Sequence, residues 1–369
     1  MVEAKSSGSA KLAVVVLAAG QGTRMKSTLP KVLHQIMGKP MLAHVLNAAR
    51  YLEPDPLVVV TGHEAAKVEA AVEEFSPLFV HQEQRLGTGH AVAQAKSVLA
   101  EHLGQVVIIP GDVPLISPQT LLDFIDAHRA LRADLSALSV RVEWPNAYGR
   151  IIRDQSGWLE RIVEARDATE AELAINEVNS GIYACDAPKL FEAISRLNTD
   201  NDQKEYYLTD VAALFRAQGW SAAAIEAPDP TELQGINDRR ELALVQSLLR
   251  ERINLSWLMA GVTMEDPSTA HIEASVRLSS DVTLGQGVIL KGSTSIATGA
   301  VIGPYCCLKD TIVGVNAQLA ANLTLSGANI CDNAEVWSQN SPEIREIAKT
   351  AKAAEGEVIS DTTDMAEKA

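Results

Sequence analysis

The stretch of this chain best suited to chemistry is residues 17–31, LAAGQGTRMKSTLPK, where two glycines, an arginine and a lysine follow an apolar run. Backbone N–H groups fanned around a glycine turn make a concavity for anions. Arg24 and Lys31 place positive charge at the same point, so a phosphate-bearing ligand is the chemistry this stretch could serve. Spacing excludes two phosphate motifs. GxxxxGK[ST] is absent, which removes a Walker A loop. A dinucleotide fingerprint needs a small residue where Met25 stands and an acid after the second strand, which ends Val60, Thr61, Gly62, His63. A tight strand-to-helix turn with two solvated cations stays open as the plainer reading. Taken singly, Gln82 and Asn237 read as surface amides, Asp112 as a turn residue after Gly111, and Glu164 as a solvated charge near Arg166.

The elements that must position these residues are legible in the apolar pattern. KLAVVVLAAG, LVVVTG (57–62) and VVIIPGD (106–112) are continuous apolar runs, as expected of strands buried on both faces. MLAHVLNAARYL, EAAKVEAAVEEF and GTGHAVAQAKSVL have helical spacing, FVH (79–81) precedes a loop, and SPQTLLDFIDAHRALR starts with Ser117 as N-cap and Pro118 at the first helical position. This alternation predicts an α/β domain, Rossmann-like and doubly wound. LSALSV, GRIIRD, WLERIVE and NSGIYACD then read as strands of an antiparallel extension, and 237–260 as one long amphipathic connecting helix.

Beyond it the apolar period becomes six: Val276, Val282, Val288; then Ile296, Ile302, Leu308; then Val313, Leu319, Leu325, Cys331, Trp337. That period fits neither a helix nor an alternating strand and predicts a parallel β-helix of hexapeptides, with the breaks in phase read as loops at coil corners. The expected organisation is a disordered tail over 1–10, a nucleotide-handling domain over 11–238, a linker helix over 239–260, a short β-helix over 261–337 and a polar tail over 338–369, itself read as a short helix and a frayed acidic end.

With 369 residues, 47% hydrophobic and 21% charged, the composition is that of a soluble globular protein of two domains. The net charge of −15 argues against nucleic acid or an anionic membrane as partner, so any phosphate must be met by a local basic site. Cys185, Cys306, Cys307 and Cys331 form no CxxC and suggest neither zinc nor disulfides. The N-terminus MVEAKSSGSA has no apolar core for a signal peptide and no run approaches a membrane span, so a cytoplasmic location is expected.

Read in order, LAAGQGTRM, LPKVLH, LGTGHA (86–91), GDVPL (111–115), YGR (148–150), IVEARDA, NSGIY (179–183) and GIND (235–238) closely resemble bacterial N-acetylglucosamine-1-phosphate uridylyltransferase, usually fused in that family to a glucosamine-1-phosphate acetyltransferase. The resemblance runs from about residue 12 to 238, and more loosely to 337. It implies transfer of a uridylyl group from UTP to N-acetylglucosamine 1-phosphate, giving UDP-N-acetylglucosamine and pyrophosphate, with the product feeding peptidoglycan and other surface polymers. It implies Leu17, Ala18, Ala19 and Gly20 against the nucleotide, Arg24 and Lys31 gripping the triphosphate, Gln82 reading the uracil edge, and Gly87 and Thr88 over the base and ribose. Gly111 precedes Asp112, and Asp112 and Asn237 match the ligands of Mg²⁺. Gly149, Glu164 and Asn179 match contacts to the sugar, with EYYLTD (205–210) framing that pocket. A left-handed β-helix and a homotrimer built on it follow from the same resemblance. Two departures stand out. Pro110 stands where many relatives carry a polar or aromatic residue, and no histidine follows His271, so the acetyl-transfer base has no counterpart and acetyltransferase activity is expected to be absent. A pyrophosphorylase for another sugar and a non-catalytic nucleotide-binding scaffold are the alternatives.

Overall fold

The computed structural model describes residues 12–143, 147–338 and the backbone of 344–346. The expected tail over 1–10, and most of that after 338, lie outside the described residues. The chain divides into two compact units, one holding the residues up to His34 with Pro40–Glu241, the other Gln35–Lys39 and the residues from Leu242.

The first unit is built on a mixed sheet of nine strands. Along its main path the order is Ala222–Glu226, Leu135–Arg141, Glu177–Asp186, Gln105–Pro110, Leu12–Leu17, Leu57–Thr61, Leu78–His81. Leu12–Leu17 pairs in parallel with both Leu57–Thr61 and Gln105–Pro110, so every ladder partner of the first strand is internal. Its side chains alternate between two cores. Val14 and Val16 face helices Met41–Arg50 and Pro118–Leu131, while Ala13 and Val15 face Thr88–Gln94, Ala187–Ile194 and Val211–Ala217. A strand covered on both faces has no polar side, which is why it reads as an unbroken apolar run. Ser117 accepts a hydrogen bond from Thr120 N, with Pro118 at the first position of the helix it caps. The antiparallel extension consists of Glu177–Asp186, antiparallel to both of its main-path neighbours, and the hairpin Arg150–Arg153 with Leu159–Val163 beside it. Helix Arg239–Met259 follows the last loop of this unit.

In the second unit three parallel sheets of two- and three-residue strands stack as a β-helix. Each hexapeptide buries two side chains, two positions apart: Val276 and Leu278, Val282 and Leu284, Val288 and Leu290. The apparent phase break between Val288 and Ile296 is therefore no break, since the two residues are the first and second inward positions of their hexapeptides. Real shortenings do occur. Ser295 pairs with Ile312 and Ile296 with Val313, a coil of 17 residues where Leu278 to Ile296 is 18, and no corner loop accompanies them. A further shortening shifts the frame, so Ile330 and Val336 are the buried residues; Cys331 is only half-buried and Trp337 is 71% exposed, correcting the expectation for both. Asp281, Asn316, Asn322 and Asn333 turn corners at positive φ, which short polar side chains tolerate. Ile344–Glu346 forms a strand antiparallel to Ala328–Ile330, where the sequence reading has helix; unpaired N–H and C=O groups on a sheet edge recruit such a segment more readily than an isolated short helix holds itself together.

Candidate active site

The two glycines after the first strand serve different ends. Gly20 has no heavy atom within 4 Å of where a Cβ would stand, so the turn is open there. Gly22 sits at φ 64°, and a Cβ on it would lie 2.5 Å from the Lys31 Cβ. The missing side chain makes room for the lysine stem. Beyond that crossing, Lys31 forms an ion pair with Asp112, and its Nζ also donates to Asn237 Oδ1 at 3.4 Å. Arg24 Nη2 donates to the same oxygen at 2.9 Å.

Three distant segments converge to make this cluster. Asp112 follows strand Gln105–Pro110, and Gly111 N donates to Leu17 O at 2.9 Å; a Cβ on Gly111 would meet that oxygen at 2.8 Å. The loop carrying Asn237 is tied down by Ile236 N to Asp112 O at 3.0 Å and by Asn237 N to Glu241 Oε2 at 2.6 Å. Asp238 caps the following helix through Arg240 N and Glu241 N. Asn237 is thus held just ahead of a helix N-terminus by its own backbone, with its side-chain oxygen left to the cations.

The cluster stands beside a cleft of ≈ 410 Å³ at the carboxyl ends of the parallel strands, where open α/β sheets take their ligands. Of the residues singled out in the sequence, Leu17, Ala19, Gly20, Lys31, Gln82, Gly87, Thr88, Asp112, Glu164 and Asn179 line it. Ala18, Arg24, Gly111, Gly149 and Asn237 do not: Ala18 and Gly111 are chain neighbours of residues that do, Asn237 Oδ1 accepts from Lys31, Gly149 O accepts from Asn179 N at 2.9 Å, and Arg24 joins the cluster through Asn237 Oδ1.

One wall is formed by Gln82 and the loop after it. Gln82 is 5% exposed, and its Nε2 donates to Gly87 O at 3.1 Å and lies 3.0 Å from His90 Nδ1. The bond to Gly87 O orients the amide and leaves Oε1, an acceptor, for a ligand. Gly87 lies at φ 107°, with Tyr206 O 2.6 Å from where a Cβ would be. Thr88 Oγ1 accepts from Leu208 N at 3.1 Å, and Tyr206 N donates to Leu86 O at 2.7 Å. The EYYLTD segment therefore braces this wall as well as contributing Glu205, Leu208 and Thr209 to the cleft.

Glu164, Asn179, Gly181 and Tyr183 line the cleft as well. Burial lifts the Glu164 carboxyl above its ordinary range; Thr209 opposes this with a hydrogen bond at 3.1 Å, and the charges of Asp210 and Asp167 add to the rise. A carboxylate and amides suit hydroxyls and neutral polar groups, whereas the cation cluster suits phosphates. The cleft carries both kinds of lining.

The resemblance implies Mg²⁺, and the residues fit it. The Lys31 ammonium touches both Asp112 Oδ2 and Asn237 Oδ1, so the two residues that would hold the metal already share one cation. Mg²⁺ needs few protein oxygens because it keeps water and phosphate in its shell. Among the described residues no group of three or more His, Cys, Asp or Glu gathers into a metal centre.

Sequence reasoning missed Arg85 and Tyr183. Arg85 lines the cleft and hydrogen-bonds Gln21 of the glycine turn from the other side. Its position three residues after Gln82 was visible, but nothing in the spacing shows that the loop folds back. Pro110 lines the cleft too, and a Cβ on Gly181 would touch its Cγ at 3.0 Å.

Comparison with known proteins gives the family. Residues 14–210 match the MobA-like NTP transferase domain family. The bifunctional protein GlmU of Geotalea uraniireducens is 42% identical over 326 residues, spanning 88% of this chain and 71% of that protein. Its counterpart from Thermobifida fusca is 44% identical over 320 residues, spanning 85% of this chain and 66% of its own. A UDP-glucose pyrophosphorylase solved with UDP-glucose superposes with a TM-score of 0.51 at 17% identity, covering 66% of this chain and 99% of that one, a likeness of fold.

Proposed function

The chain belongs to the family of bifunctional GlmU proteins, and on that premise we propose that it transfers a uridylyl group from UTP to N-acetylglucosamine 1-phosphate, forming UDP-N-acetylglucosamine and pyrophosphate. That it is a nucleotidyltransferase follows from the family; the acceptor and the base are the proposal. The observation that carries it is the mixed lining of the cleft, where Lys31 and Asp112, with Arg24 and Asn237 beside them, share one cavity with Gln82, Glu164 and Asn179.

In this reading a phosphate oxygen of the sugar attacks the α-phosphorus of UTP in line, and the bond to pyrophosphate breaks on the opposite side. Little proton chemistry is required, so the protein contributes positioning and charge neutralisation. Mg²⁺, held by Asp112 and Asn237, supplies positive charge to the phosphates when bound. Lys31 and Arg24 turn from those same oxygens toward the phosphates. Glu164 and Asn179 take the hydroxyls and acetamido group, and Gln82 accepts from uracil N3–H. No protein nucleophile is needed.

We further propose that these 369 residues carry uridylyl transfer alone, because no histidine follows His271 to serve as an acetyl-transfer base, and that the β-helix supports a homotrimer. The exposed Val301, Tyr305 and Ile312 on its strands and corners are consistent with subunit contacts. Pyrophosphate release on mixing UTP, Mg²⁺ and the sugar phosphate tests the first proposal directly.

A further inference from the structure

Strand Glu177–Asp186 does not run straight. Against Leu135–Arg141 its register shifts between Asn179, opposite Ser139, and Tyr183, opposite Ala137, so four residues advance against two. The surplus arches, and its own side chains hold the arch. Ser180 Oγ donates to Leu138 O at 2.7 Å and accepts from Ile182 N at 3.2 Å, while Asn179 Oδ1 accepts from Gly181 N at 3.2 Å. Gly181 takes φ 83°, beyond the ordinary reach of a residue with a Cβ.

In a flat strand, positions i and i+4 stand about 13 Å apart. Here Asn179 Nδ2 donates to Tyr183 Oη at 2.7 Å. The Asn179 amide has one acceptor atom and two donor hydrogens. Gly181 N takes one of the two lone pairs on Oδ1 and the phenol takes one hydrogen, leaving one N–H, in a fixed direction, and one lone pair on a side chain that lines the cleft. Tyr183 is 1% exposed, lines the same cleft, and has no acceptor for its own O–H among the described residues. Burial, with the nearby Glu164 charge, raises its pKa and keeps the phenol protonated.

We propose that Tyr183 is a positioning residue for the sugar end of the cleft: the bulge brings its phenol against Asn179, fixes that amide, and adds a second donor aimed at the neutral groups of the acceptor. This rests on the uridylyltransferase reading above. The class of ligand follows from Glu164, whose carboxylate repels an anion and accepts from hydroxyls, so this part of the lining takes the uncharged part of a sugar phosphate.

The test is steady-state kinetics of Tyr183→Phe, with each substrate varied in turn. One misdirected hydrogen bond corresponds to roughly a fivefold to tenfold loss, so KM for N-acetylglucosamine 1-phosphate should rise by about that factor while KM for UTP stays within twofold. In a double-variant cycle, adding Tyr183→Phe to Asn179→Ala should cost less than it does alone, because the phenol would no longer have an amide to orient. Should Tyr183→Phe not accumulate as folded protein, Ser180→Ala, which loosens the arch, gives the same readout. An unchanged sugar-phosphate KM, or an equal rise for both substrates, overturns the proposal for Tyr183. Absence of turnover by the unaltered protein would instead count against the uridylyltransferase reading itself.

Discussion

Lys31 reaches Asp112 and Asn237 by crossing Gly22, where a Cβ would stand 2.5 Å from its own. The sequence shows two glycines and two cations but not that one glycine exists for the other residue's stem; that needs the fold. Asp112 is the acid in this group, and its replacement by asparagine keeps shape while removing the charge that would hold Mg²⁺. Asp112→Asn is expected to lose nearly all turnover, a loss on the order of several kcal/mol of transition-state stabilisation, with the melting curve little changed. Activity within a few-fold of the unaltered enzyme would rule out the assignment. Gln82 makes a second prediction. Its Nε2 is held by Gly87 O, which leaves Oε1 as an acceptor that suits uracil N3–H and opposes the bare N3 of cytosine. UTP should be strongly preferred over CTP, and the preference should shrink in Gln82→Ala; equal use of CTP by the unaltered enzyme contradicts this role.

Among the elements, strands with unbroken apolar runs and capped helices were readable from sequence because burial on both faces and Ser117-Pro118 leave local signatures. The bulge in Glu177–Asp186 was not, since its cause is a register against another strand. The hexapeptide frame was half readable: the period of six is local, whereas which of two inward positions a residue occupies depends on coil length, and so Cys331 and Trp337 were misplaced. One packing contact gives a pH prediction. His128, on helix Pro118–Leu131, is 1% exposed, its Nδ1 is 2.8 Å from Ser136 Oγ on the neighbouring strand, and burial lowers its pKa to about 4, with Arg129 adding to the fall. The unfolded chain then binds a proton near the ordinary value of 6.5 that the folded chain refuses until about 4. Stability therefore carries no penalty from His128 above pH 6.5 and falls between there and 4, by about 3 kcal/mol at most. Urea midpoints of His128→Gln across that window should decline less steeply than those of the unaltered protein; parallel declines would mean His128 does not contribute.

At the scale of the whole molecule, the chain joins a nucleotidyltransferase unit to a β-helix, and among the described residues no helix is long and apolar enough to cross a membrane. The residues proposed for uridylyl transfer lie in the first unit. An acetyl-transfer step needs a general base, worth a factor of about 10²–10⁴, and a site for the acyl donor; after His271 the chain has no histidine to supply the first. Thiol release from acetyl-CoA should accordingly show no dependence on glucosamine 1-phosphate, and such dependence with this chain alone would overturn the single-activity proposal. The central claim is that the cleft joins UTP to an N-acetylated sugar phosphate. Pyrophosphate release by the purified chain, measured with UTP and Mg²⁺ against N-acetylglucosamine 1-phosphate and, in parallel, glucose 1-phosphate, tests it most directly. The account predicts rapid release with the first acceptor and release slower by at least tenfold with the second; equal rates, or none with either, would contradict it.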